Sequence, residues 1–119
     1  IINVASTSGR KARPLDSAYC ASKFGVVGLT ESLAEEVRSF GIRVQLVLPD
    51  AVDTPLWDQN GPVPVPDWAL PPERIAEAIV WLLCLPPDAT VGEIAVHPLR
   101  VRKRAARPAG RTPTEAKEG

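Results

Sequence analysis

The chain has 119 residues, 45% of them hydrophobic and 24% charged, with 14 basic side chains balancing 14 acidic ones. That length bounds it to one domain, and the composition is that of an ordinary globular protein rather than a disordered, collagenous or disulfide-stapled one. No apolar run approaches the 18 or so residues of a membrane helix, the longest being Ala78 to Leu85, and no basic n-region followed by an apolar stretch stands at the start.

Charge is unevenly spread. Residues 1–99 carry 7 basic and 12 acidic side chains, a net −5, whereas residues 100–119 carry 7 and 2, a net +5. The two cysteines, Cys20 and Cys84, fit neither a metal-ligand spacing nor a disulfide framework. They read as reduced thiols, which suggests a cytoplasmic protein.

In chain order, Ile1 to Ala5 is a short apolar run bounded by Ser, Thr and Gly, and reads as a strand buried on both faces of a parallel sheet. Ser6 to Asp16 is a loop of Ser, Gly, Arg and Pro. Its Arg10, Lys11 and Arg13 read as solvated, with contact to a substrate anion as the alternative. A helix follows, with Asp16 or Ser17 available as its N-cap. Its apolar rows run through Ala18, Ala21, Phe24, Val27, Leu29, Leu33 and Val37. Gly25 and Gly28 weaken it but permit a close neighbour, and Gly41 is a natural terminator.

Ile42 to Leu48 reads as a second strand ended by Pro49. Strand, helix and strand with short connections predict a right-handed parallel crossover. Ligands in such sheets sit beyond the carboxyl ends of the strands, where Ser6 and the Pro49–Thr54 loop both fall. The Pro-rich segment Pro55 to Pro72, with Trp57 and Trp68, reads as a lid or binding loop. A strongly apolar helix begins at Pro71-Pro72-Glu73, with proline in its first turn, and stops at Pro86-Pro87. Gly92 to Pro98 reads as a short last strand, and His97, the single histidine, as structural. Arg100 to Gly119 is basic, then rich in Pro, Ala, Gly and Thr, and reads as a disordered tail. Without interleaved aromatics it makes nucleic acid or an anionic membrane a minor prospect.

Within the long helix, Tyr19 and Lys23 are four residues apart and therefore share a face about one turn apart. A neighbouring cation favours the ionised form of a phenol, so the pair suits proton exchange. Thirteen residues before Tyr19 stands Ser6.

A strand-ending serine in IINVAST, a Y-x-x-x-K helix in YCASKFGVVGLTESLAEE and a P-x-x-V-x-T strand end in GIRVQLVLPDAVDT, in that order, resemble the short-chain dehydrogenases/reductases (SDRs). The likeness runs from Ile1 to about Leu99 and implies an α/β fold, the C-terminal part of a doubly wound parallel sheet of Rossmann type. It implies an NAD(P)-dependent oxidoreductase that interconverts an alcohol and a carbonyl by hydride transfer. Tyr19 would be the proton donor and acceptor. Lys23 would favour the phenolate and bond the nicotinamide ribose. Ser6 would orient the substrate oxygen, with Ser8 a weaker substrate contact. The Val52 backbone and Thr54 would hold the nicotinamide carboxamide, Pro49 and Tyr19 would also belong to the cofactor site, and no metal is implied. A homo-oligomer, dimer or tetramer, is a further implication, with a small alcohol or carbonyl as partner.

Two departures stand out. The family has glycine where this chain has Asp50, whose side chain and charge would crowd the nicotinamide. No G-x-x-x-G-x-G occurs, there is no Met, and residue 1 already lies in a strand. Residues 1–99 therefore read as the C-terminal half of an NAD(P)-binding domain, with 100–119 as its tail. The residues that discriminate NAD from NADP would lie in the other half. A non-catalytic or truncated relative is the alternative, and a flavodoxin-like binding module, with an incidental Tyr19–Lys23 pair, a third.

Overall fold

The computed structural model of the protein describes residues 1–59 and 63–100. Three strands, β1 (Ile2–Val4), β2 (Gln45–Pro49) and β3 (Glu93–Val96), form one parallel sheet in the order β1-β2-β3. Asn3 pairs with Leu46, and Val47 with Ile94. Helix α1 (Ser17–Val37) joins β1 to β2, and α2 (Leu56–Gln59) with α3 (Pro72–Leu83) lies between β2 and β3. The α/β parallel architecture is thus the expected one.

The middle strand is buried along its whole length, as a continuous apolar run in a parallel sheet requires. Its pleat sends alternate side chains to opposite faces. Leu46 and Leu48 meet Ala5 and Val27 on the α1 side. Val47, fully buried, meets Ile75 and Leu82 of α3 on the other. The expectation for the first strand needs correction, because Val4 is 43% exposed. Among the described residues β1 pairs on one side only, with β2.

The two crossovers step the same way across the sheet but pass over opposite faces, so they have opposite hands. Crossovers are nearly always right-handed because a twisted strand feeding a helix packs back only that way. The long connection from Asp50 to Pro71 uncouples β2 from α3 and relaxes that constraint.

Several boundaries differ from the sequence pattern. Asp16 occupies the N-cap position of α1 without a capping bond; its carboxylate instead accepts from Arg13 at 2.8 Å. A 3-10 turn, Arg38–Phe40, intervenes between α1 and Gly41, whose φ of 70° and N–H bond to the Arg38 carbonyl close the end. The ladder begins at Gln45 rather than Ile42, and the last strand is confined to Glu93–Val96. No atom would lie within 4 Å of a Cβ at Gly25 or Gly28, so the close approach they permit is unused among the described residues. Arg43 donates to the carbonyls of Leu85, Pro86 and Ala89 at 3.1, 2.8 and 2.9 Å, tying the turn after α3 to the start of β2. The expected basic tail falls, from residue 101 on, outside the described residues. Among the described residues no helix is long and apolar enough to cross a membrane.

Candidate active site

Beyond β1 the chain turns sharply. Ser6 is extended, 8% exposed, and heads a 3-10 turn over Thr7–Gly9; its Oγ accepts the Ser8 N–H at 3.1 Å. That turn lies directly on α1. A Cβ at Gly9 would stand 2.9 Å from both the Lys23 carbonyl oxygen and Val27 Cγ2. Only glycine lets the Ser6 turn seat on the helix at the level of Lys23.

Tyr19 and Lys23 are both half-buried. The Lys23 Nζ sits over the Tyr19 ring, 5.5 Å from its centroid, within the reach of a cation–π contact. Pro49, Asp50, Ala51 and Val52 then leave the carboxyl end of β2. The Asp50 N–H donates to the Val96 carbonyl at 2.9 Å, and the Asp50 carboxylate shares a 3.2 Å hydrogen bond with Nδ1 of His97. A carboxylate only accepts, so Nδ1 carries the proton.

The segment after β2 is closed on itself. Leu70 donates to the Ala51 carbonyl at 2.9 Å, Asp53 donates to the Leu70 carbonyl at 2.8 Å, and Trp57 Nε1 donates to the Val52 carbonyl at 2.7 Å. This brings α2 and the indole over the strand ends.

A cavity of about 470 Å³ results. All seven residues singled out from the sequence, Ser6, Ser8, Tyr19, Lys23, Pro49, Val52 and Thr54, line it. A larger depression, about 620 Å³, lies between the second half of α1 and the loop before β3. Its wall carries Glu31, Glu35, Asp88 and Glu93 but none of the seven residues singled out from the sequence, which all line the smaller cavity.

The charged side chains in the cavity wall are Arg13, Asp16, Lys23 and Asp50. Arg13 and Asp16 neutralise one another, and Lys23 makes no ion pair among the described residues. Arg10 is diverted from any substrate. It pairs with Glu93 at 2.5 Å and with Glu31, and these bonds, Glu93 first, push its pKa above the ordinary guanidinium value.

A sequence model of the short chain dehydrogenases matches residues 1–63, more than half of the chain. The chain belongs to the short-chain dehydrogenase family. This SDR chain is 37% identical to an uncharacterized oxidoreductase of Staphylococcus saprophyticus, over 83% of its own length and 42% of the relative's. It is 35% identical to an uncharacterized NAD-dependent oxidoreductase of Mycobacterium tuberculosis, over 69% of its own length and 36% of the relative's. Its fold matches that of an alcohol dehydrogenase from the archaeon Thermococcus sibiricus, complexed with 5-hydroxy-NADP. There the TM-score is 0.72 and the identity 26%, with 87% of this chain and 43% of that one covered. The SDR chain thus spans less than half the length of each.

Sequence reasoning missed three features of the SDR site. The contact of Gly9 with α1 was unsignalled apart from a glycine ending a Ser-Thr-Ser run. The Trp57 bond to the strand end and the pairing of Asp50 with His97, 47 residues apart, had no local signal.

Proposed function

We propose that residues 1–99 form the catalytic half of an NAD(P)-dependent oxidoreductase that interconverts an alcohol and a carbonyl. The observation that carries this reading is the single cavity shared by Ser6, Tyr19 and Lys23 at the carboxyl ends of parallel strands. Its volume, about 470 Å³, suits a nicotinamide ring with a small substrate beside it. Its polar wall offers hydroxyl donors and an ammonium, which match an alcohol oxygen and a ribose. The residues present therefore fit the nicotinamide end of the cofactor. The likeness to an NAD-dependent relative and to an alcohol dehydrogenase complexed with 5-hydroxy-NADP supports NAD(P) without choosing between them. No G-x-x-x-G-x-G occurs in these 119 residues, so the pyrophosphate and adenosine are assigned to elements outside them.

When bound, the nicotinamide supplies or takes the hydride. Hydride arriving at a carbonyl carbon leaves negative charge on its oxygen. Ser6 donates a hydrogen bond to that oxygen and fixes its position. Tyr19 passes it the phenolic proton, and the phenolate left behind is stabilised by the Lys23 ammonium before a solvent proton restores it. In the oxidising direction the phenolate takes the hydroxyl proton. Lys23 also bonds the ribose, the Val52 main chain and Thr54 hold the carboxamide, with Pro49 shaping the turn, and Ser8 flanks the substrate. Ala18, Ala21 and Leu29, with the bare surface at Gly25 and Gly28, leave an exposed face on α1 that supports a homo-oligomer.

The test is turnover by the intact protein, followed through nicotinamide absorbance with NAD(H) and NADP(H) against a panel of small alcohols and carbonyls. Activity with one cofactor is expected. Absence of activity together with absence of cofactor binding would overturn the reading.

A further inference from the structure

We propose that Asp50, held in place by His97, makes the site prefer the oxidised nicotinamide to the reduced one. The inference rests on the cofactor reading above. Of the four charged side chains in the cavity wall, Arg13 and Asp16 form a 2.8 Å pair and cancel. The Lys23 ammonium lies over the Tyr19 ring. Asp50 therefore contributes the wall's one negative charge without a cationic Lys or Arg partner among the described residues.

That charge is fixed at both ends. The Asp50 main chain is bound to Val96 at 2.9 Å and its carboxylate to His97 Nδ1 at 3.2 Å. The side chain is 31% exposed, against 59% for His97, so the carboxylate sits inward of the imidazole. In its neutral form, donating from Nδ1, the imidazole orients the carboxylate without cancelling it, which makes His97 a positioning residue.

An oxidised nicotinamide ring carries a positive charge and the reduced ring none. A fixed carboxylate in the same small cavity therefore attracts one form and is indifferent to the other. Lys23 acts in the opposite sense, and Asp50 offsets it. Solvent reaching the carboxylate weakens the effect, which places it at a modest factor. By favouring the oxidised ring, the same charge biases the bound equilibrium toward delivery of hydride to a carbonyl.

The experiment is calorimetric titration of the intact protein with the oxidised and reduced forms of the cofactor it uses. It compares wild type, Asp50→Asn, which keeps the bond to His97, and Asp50→Gly. The ratio of the reduced-form Kd to the oxidised-form Kd is expected to fall by about three- to tenfold in both variants, tenfold corresponding to about 1.4 kcal/mol. A ratio unchanged within twofold would overturn the proposal. Equal tightening of both forms in Asp50→Gly alone would overturn it too, because Asp50 would then act by bulk. If wild type binds neither form, the cofactor reading falls and this inference with it.

Discussion

The Lys23 ammonium rests over the face of the Tyr19 ring, one helical turn further along α1, with 5.5 Å between the nitrogen and the ring centroid. In the reaction proposed above, this places the cation beside the phenol that would give up its proton. Removing the phenolic oxygen leaves this stacking intact. Tyr19→Phe in the intact protein should lower kcat by about 10²- to 10⁴-fold, with the cofactor Kd changed less than about threefold. Turnover near the wild-type rate would exclude Tyr19 as the proton carrier.

Gly9→Ala tests how the Ser6 turn is seated. The added methyl meets a main-chain oxygen and a valine methyl, both at 2.9 Å. Overpacking of this kind costs about 1–3 kcal/mol. Because the carbonyl of Lys23 cannot yield, the turn should move and carry Ser6 with it. We expect a drop in kcat larger than any change in cofactor Kd. Adding Val27→Ala relieves only the side-chain contact and should not restore the rate.

Thr30→Val tests the polar link across the sheet–helix interface. The buried Thr30 hydroxyl accepts from Asn3 Nδ2 at 2.9 Å and donates to the Val26 carbonyl at 2.6 Å. Valine leaves the Asn3 amide without its partner, a loss of about 1–3 kcal/mol. The melting temperature should fall by several degrees while the kcat of the folded enzyme stays near wild type.

Trp57→Phe keeps an aromatic ring over the cavity but removes the 2.7 Å bond to the Val52 carbonyl. The strand end loses a tether on the side assigned to the carboxamide. A rise in KM for the cofactor of about three- to tenfold, equivalent to a lost bond of about 0.5–1.5 kcal/mol, is expected, with kcat moved less. An unchanged KM would show that the tether does not shape the pocket.

Much of this fold is local in origin. The apolar run around Leu46–Leu48, the long helix from Ser17 and the proline-led start of α3 each follow from neighbouring residues, and their order predicts a parallel sheet. The residues gathered in the cavity were legible from the resemblance of three short motifs to the family, while topology accounts for their convergence, since strand ends and the first turns of α1 must meet at one edge of such a sheet. What the sequence hid is long-range. The choice of face for α3 depends on how the Asp50–Pro71 connection routes, which no periodicity encodes. The engagement of Arg10 by Glu31 and Glu93 joins three elements. The meeting of Asp50 with His97 depends on β2 and β3 being neighbours in register. The first strand looked fully buried because its composition matches β2, but burial is set by neighbours on both sides.

The opposite hands of the two crossovers have a consequence for how such a molecule can diversify. A tight connector would pin α3 to the same face as α1, so the slack that frees it is a topological necessity here. Leu56 and Trp57, in the span that provides this slack, also line the cavity shared by Ser6, Tyr19 and Lys23. The length and composition of that span can therefore drift while the sheet and these three side chains stay where they are, letting the cavity change shape without redrawing the scaffold.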